Sequence, residues 1–219
     1  MPARHDGILL DLDGTLWNAA SASAKGWNEV GNELGILSAD LKKSDIENVS
    51  GHPLEKCIGM LFPESAIQKY PNLVNALEKG ERKIIEEEGG EFYQGILDGI
   101  PKIARSFPLF IVSNCQQWYL DCFFKHSNLR PHFRDTDCHG KSNICKADMI
   151  RHMVLKHKLV NPIYVGDTLM DKDSSRMAQV EFGYADYGFG ELGDEVLVFD
   201  SFTSLIAYFL PDRACNSDQ

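Results

Sequence analysis

Asp11 and Asp13 close the apolar run Ile8-Leu-Leu, with Gly14, Thr15 and Leu16 directly behind them. A run that short fits one buried strand, and the glycine turns the chain where the acids emerge. At a strand's end both acids can address one point beyond the sheet edge. Carboxylates so close repel unless a proton or a cation stands between them. A hard divalent cation such as Mg2+, held by oxygen ligands, resolves the conflict. On its own, Asp13-Gly14 is an ordinary turn dipeptide. The metal reading therefore needs matching chemistry at other strand ends.

Such chemistry recurs downstream. Val165 leads into Gly166 and Asp167, and Asp171 follows four residues on. One helical turn presents both carboxylates to the same cation. Val112 leads into Ser113 and Asn114, where a hydroxyl and turn amides can hold an anion or simply cap a turn. Lys146 stands at the start of an amphipathic helix, and Lys141 is a rival of the same chemical type.

The elements that must position these residues show as a change of texture. From about Asn18 to Gly90 the chain carries helical patterns and no convincing strand. Trp27, Val30 and Leu34 share one helical face. Pro53 opens a helix bearing Leu54, Cys57, Ile58 and Leu61. Pro71 opens another, with Val74, Leu77, Ile84 and Ile85, which ends in Glu86-Glu87-Glu88 before Gly89 and Gly90. Strands and helices then alternate: strands at Leu109–Ser113, Phe133–Cys138 and Pro162–Val165, and short ones near Val180–Ala185 and Val196–Phe199. Helices lie near Leu97–Arg105, near Trp118–Lys125 and around Met149–Val154, and a last one follows Ser201 as N-cap. Alternation of this kind predicts an α/β fold with a parallel, Rossmann-like sheet covered on both faces. Residues 1–17 and 91–219 are expected to form that core, and residues 18–90 an inserted helical domain over the same sheet edge.

With 219 residues the chain can bury a proper core. Its 22 basic and 32 acidic residues leave a formal charge of −10, which argues against a nucleic-acid or anionic-membrane partner. A phosphorylated small molecule stays compatible, because a bound cation and a few placed basic groups can reverse the local field. The start, Met1 to Gly7, lacks an apolar signal region, and no stretch is long enough to span a membrane. Cys57, Cys115, Cys122, Cys138, Cys145 and Cys215 form no CxxC pair, and Cys138, His139 and Cys145 match no standard zinc spacing. A cytoplasmic enzyme with reduced thiols, monomeric or homodimeric, is the expected setting.

Taken in order, Asp11-Leu-Asp13-Gly14-Thr15-Leu16, Ser113-Asn114, Lys146, and Gly166-Asp167 with Asp171 resemble the four motifs of the haloacid dehalogenase-like hydrolase superfamily. The helical insert resembles the cap of its phosphoglycolate phosphatase and beta-phosphoglucomutase branch. Gly51-His52-Pro53 with Glu55 resembles that cap's substrate-facing turn.

The resemblance implies an aspartyl-phosphate mechanism. Asp11 would attack phosphorus, splitting one difficult displacement into two steps. Mg2+ would be held by the Asp11 carboxylate, the Asp13 carbonyl and Asp167, with Asp171 holding metal waters or orienting Asp167. Ser113, Asn114 and Lys146 would bind the phosphoryl oxygens, and Lys146 fits the helix-start context better than Lys141. Asp13 would serve as general acid and then general base, with Thr15 positioning it by a hydrogen bond. Gly51 and His52 would contact substrate. An acid at Asp13 favours phosphate-ester or phosphoanhydride chemistry over the dehalogenase branch. A phosphomutase or inorganic pyrophosphatase of the same superfamily is the alternative. The mutase linker histidine is missing from Trp17-Asn18-Ala19-Ala20, where the next histidine is His52. A receiver-like signalling domain also clusters aspartates, Mg2+ and a lysine, but is shorter and has no helical insert after its first strand.

Overall fold

The computed structural model describes residues 5–193 and 197–211. Met1 to Arg4, Val196 and Cys215 lie outside the described residues. The first strand, β1 (Gly7–Leu10), is followed by the two-residue β2 (Trp17–Asn18) and five helices: α1 (Ala20–Glu33), α2 (Lys43–Val49), α3 (Leu54–Leu61), α4 (Glu64–Lys69) and α5 (Leu73–Glu88). The short β3 (Glu91–Phe92) returns the chain to α6 (Ile96–Ile103), β4 (Leu109–Ser113), α7 (Gln117–Ser127), β5 (Phe133–Cys138), the single turn α8 (His139–Ser142) and α9 (Lys146–His157). The remainder is β6 (Pro162–Gly166), α10 (Leu169–Ala178), β7 (Glu181–Ala185), β8 (Leu197–Phe199) and α11 (Phe202–Phe209).

Six strands form one parallel sheet in the order β5-β4-β1-β6-β7-β8. Parallel strands need covered faces, and the apolar side chains divide accordingly. Ile8, Leu10, Ile111 and Val165 face the cluster built on Ile96, Ile100, Phe123 and Phe202. Leu9, Phe110, Val112 and Tyr164 face Met149, Ile150 and Met153 of α9. The Rossmann-like expectation is met. Because β1 lies between β4 and β6, the chain order reverses there, at the position where α/β sheets open a crevice beyond their carboxyl ends. Register brings three strand ends level: Leu10 pairs with Ile111 on one side and Val165 on the other.

The five helices between β2 and β3 bury a cluster of their own around Trp27, Ile46, Ile58, Leu73 and Leu77. Each such side chain contributes about 1.5–3 kcal/mol on burial. Helices α1 and α5 cross at Gly26 and Gly80. A Cβ at Gly26 would come within 2.6 Å of the Gly80 carbonyl and the Glu81 Cα, so only glycine permits this approach.

Two features depart from the sequence reading. Antiparallel pairing of Trp17 with Phe92 and Asn18 with Glu91 makes a small ribbon at the edges of the helical segment, where no strand was expected. Helices α2 and α4 were also unforeseen; at seven and six residues they are too short to display a helical period. Among the described residues no helix is long and apolar enough to cross a membrane.

Candidate active site

The level ends of β1, β4 and β6 place Asp11, Ser113 and Asp167 at the sheet's carboxyl edge, where each is almost fully buried. The Asp11 backbone N–H donates to the Val165 carbonyl at 2.8 Å, extending the β1–β6 pairing by one residue and fixing where its carboxylate leaves the sheet.

Lys146, the first residue of α9, reaches into this edge and is itself 3% exposed. Its Nζ lies 2.6 Å from Asp171 Oδ1 and 3.1 Å from Asp11 Oδ1. Lys141, the rival in the sequence, points elsewhere and donates to the Thr136 carbonyl at 3.1 Å. Burial works against a charged Lys146, but the two aspartates hold its pKa above the ordinary lysine value.

Asp171 is the third residue of α10, capped by Thr168. Its Oδ2 accepts from the Thr168 N–H at 2.9 Å and from the Thr168 hydroxyl, while Oδ1 accepts from Lys146 and lies 3.2 Å from the Tyr164 hydroxyl, whose single proton is shared with the Val112 carbonyl at 2.9 Å. Burial acts to raise its pKa, yet Lys146 and these donors hold it below the usual carboxylate value. Lys146 and Thr168 already bond both of its oxygens, so direct metal ligation by Asp171 would compete with them. Its geometry serves to orient Lys146.

Asp167 is held differently. Its Oδ2 accepts from the Phe189 N–H at 2.8 Å, and its Oδ1 accepts from the Thr15 hydroxyl at 3.3 Å. The expected bond from Thr15 to Asp13 is therefore corrected. Thr15 is fully buried and does not line the cavity, so a direct substrate contact is corrected as well. The reason lies in Gly14, whose φ of +75° sends the chain back under Asp167. A Cβ at Gly14 would collide with the Asp167 carboxylate.

One oxygen each from Asp11, Asp167 and Asp171 lies within 4.8 Å of the others. Burial pushes the Asp11 carboxyl up to about 6 against the pull of Lys146, and pushes Asp167 well above the ordinary value. Asp11 Oδ1 is buried and makes no hydrogen bond despite its nearness to Lys146. Three buried acids facing one lysine leave an excess of negative charge, which a cation bound among their oxygens would offset. The residues fit a hard divalent ion held through oxygen. The Asp13 carboxylate is not part of this cluster.

Asp13 turns the other way, where the Tyr119 hydroxyl donates to its Oδ1. Burial pushes the Asp13 carboxyl up to about 8, Tyr119 opposes that rise, and the charge of Asp11 adds to it. Tyr119 is in turn packed edge-on against Trp17, with ring centroids 5.3 Å apart. Tyr119 was missed in the sequence; the available signal was a hydroxyl in the first turn of the helix that follows Ser113-Asn114.

Above the sheet edge a cavity of about 80 Å³ is floored by Asp11, Asp13, Ser113 and Asn114. Gly51, His52, Trp27 and Glu81 of the helical insert line it from the other side. The Asn114 side-chain amide donates to the Gly51 carbonyl at 2.7 Å, which brings the insert's turn down onto the floor. The structure thus gathers Asp11, Asp13, Ser113, Asn114, Gly51 and His52 around one cavity, with Lys146, Asp167 and Asp171 beside Asp11. Glu81 was also missed. Its signal was an acid four residues from Leu77 and four from Ile85, on a stripe that is otherwise apolar.

A family model described as haloacid dehalogenase-like hydrolase matches residues 8–185. The chain belongs to that family. Comparison with curated proteins found no match. Among solved structures, the hydrolase resembles a haloacid dehalogenase-like family hydrolase from Streptococcus pneumoniae, with TM-score 0.80 and 23% identity over 94% of this chain and 99% of that one. A protein from Lactobacillus delbrueckii assigned as a phosphoglycolate phosphatase gives TM-score 0.80 and 18% identity over 96% and 100%. CbbY from Rhodobacter sphaeroides, solved with xylulose-(1,5)bisphosphate, gives TM-score 0.73 and 14% identity over 92% and 96%. At these identities the likeness establishes a shared fold across nearly the whole hydrolase.

Proposed function

We propose that this hydrolase is a Mg2+-dependent phosphatase that cleaves a small phosphate monoester through an aspartyl-phosphate on Asp11. The observation that carries the reading is the pairing of two neighbouring carboxyls in different environments. Asp11 sits beside Lys146 and the acid cluster, while Asp13 is held away from them by Tyr119. Two acids with separated roles are what one site needs to attack and to protonate.

In the first step an Asp11 oxygen attacks phosphorus and the bond from phosphorus to the ester oxygen breaks. The Asp13 proton passes to the leaving alkoxide, giving the alcohol. In the second step water attacks the aspartyl-phosphate, Asp13 takes the water's proton, and phosphate leaves as Asp11 is regenerated. Ser113 and Lys146 neutralise charge on the phosphoryl oxygens as it shifts. Asp11, Asp167 and the Asp13 carbonyl would hold Mg2+, which supplies charge neutralisation between the nucleophile and its anionic target. Residues 18–90 act as a cap, closing the cavity against water and supplying the contacts that choose the leaving group.

The test is phosphate release from a panel of phosphorylated metabolites and p-nitrophenyl phosphate, with and without Mg2+. Phosphoglycolate, named for a structural relative, is one member of the panel. Turnover that requires Mg2+ and disappears in a folded Asp11→Asn variant is expected. A chain that releases no phosphate from any ester would refute the reading. Mg2+ should also raise the melting temperature of the wild type by mass action, and Asp167→Asn should remove that rise.

A further inference from the structure

The insert's side of the cavity has one carboxylate and no basic partner for it. Among the residues lining the cavity there is no arginine or lysine. The lining histidine, His52, is held below its ordinary pKa by burial and by the charge of Lys56. Glu81 is 6% exposed, wedged in place by the Gly26–Gly80 crossing of α1 and α5. Its Oε1 accepts from the Ser23 hydroxyl at 2.6 Å and its Oε2 from the Trp27 indole at 3.2 Å. Each oxygen keeps a lone pair free.

The hydroxyl, thiol and indole donors on that side are already committed. Ser23 and Trp27 donate to Glu81, the Ser50 hydroxyl donates to the Ile46 carbonyl, and the Cys57 thiol to the Val49 carbonyl. A ligand group entering here meets acceptors with capacity and hydroxyl, thiol and indole donors that have none. A carboxylate or second phosphate would be buried without a counter-charge, which is costly. An ammonium brings up to three donors and no acceptor, and it supplies the charge that Glu81 lacks. The surrounding rings of Trp27, Trp118 and Tyr119 also suit a cation better than an anion.

We infer that the leaving group is a small amino alcohol, so that the substrate is the phosphate monoester of a compact, ammonium-bearing alcohol, with Glu81 as the residue that selects it. This rests on the phosphatase reading and narrows it, setting phosphoglycolate among the poor substrates. Burial pushes the Glu81 carboxyl up to about 7, and an ammonium beside it would hold it ionised.

Three esters separate the charge classes at nearly constant size: phosphoethanolamine, ethylene glycol monophosphate and phosphoglycolate. With Mg2+ and wild-type protein, kcat/KM is expected to fall in that order, by about tenfold or more from amine to acid. Glu81→Gln should raise KM for the amine by about tenfold, with a smaller change in kcat, and shrink its lead over the acid. Should that variant not fold, Glu81→Asp, which keeps the charge but draws it back, should weaken the preference without reversing it. Phosphoglycolate or the glycol ester turning over as well as the amine overturns the inference, as does a preference indifferent to Glu81. If no ester, p-nitrophenyl phosphate included, is hydrolysed, the phosphatase reading fails by itself. Calorimetric titration then still decides the point: tighter binding of phosphoethanolamine than phosphoglycolate upholds it, and equal or weaker binding overturns it.

Discussion

The Asn114 side-chain amide donates to the Gly51 carbonyl at 2.7 Å, joining residues 63 positions apart across the cavity. One partner stands at the end of β4, and the other in the turn between α2 and α3. This bond fastens the helical insert onto the sheet edge. Asn114→Ala should therefore speed amide exchange around Gly51 to Leu54 while costing about 1 kcal/mol in global stability. Hydrogen exchange read by mass spectrometry checks it, and unchanged protection in that turn would show that the fastening lies elsewhere.

Lys146 offsets two buried carboxylates at once. Lys146→Met leaves Asp11 and Asp171 facing each other without compensation, at 1% and 0% exposure. A loss of about 3–5 kcal/mol is expected. Asp171→Asn in the same background should restore part of it by removing one uncompensated charge. Urea unfolding of the single and double variants measures both effects, and additive losses would contradict the coupling.

Tyr119→Phe removes the hydroxyl that orients Asp13. Protonation of the leaving oxygen matters most for alkyl esters, whose alkoxides leave poorly, and least for p-nitrophenyl phosphate. The variant should lose about tenfold in kcat on an alkyl phosphate and distinctly less on the aryl ester. Equal losses on both would mean that Tyr119 acts only through packing.

Glu81 carries a pH signature in stability. Its carboxyl rises from an ordinary 4.5 to about 7 on folding, so the folded state binds its proton more tightly than the unfolded chain does. Below the lower value both states are protonated and there is no cost. Between the two values the cost grows with pH, and above about 7 it is complete. Glu81→Gln should thus match wild type near pH 4.5 and exceed it by about 3 kcal/mol at pH 8. Chemical denaturation across that range tests the sign; a gap that widens toward acid would refute it.

Much of this was legible in the chain because parallel strands advertise themselves. Ile8-Leu-Leu and Pro162–Val165 are continuous apolar runs, the first ended by Asp11 and the second by Gly166-Asp167, and buried strands of an α/β sheet have that form. The order of Asp11, Ser113, Lys146 and Asp167 along the chain then maps onto adjacent strand and helix ends. What stayed hidden depends on direction. Thr15 is two residues from Asp13, yet the turn at Gly14 delivers its hydroxyl to Asp167, 152 positions away. Glu81 was passed over because an acid on a helix usually faces water. Only the Gly26–Gly80 crossing, invisible until α1 and α5 meet, encloses it.

Both passages of the chain between sheet and insert run side by side in the ribbon of Trp17–Asn18 and Glu91–Phe92. A segment that enters and leaves through one narrow gate, and that carries its own apolar cluster, is a cassette. Its walls can diverge, lengthen or be exchanged while the acids beneath stay in register. On the reading proposed above, gene duplication acting on such an architecture would diversify the menu of esters and leave the reaction itself untouched.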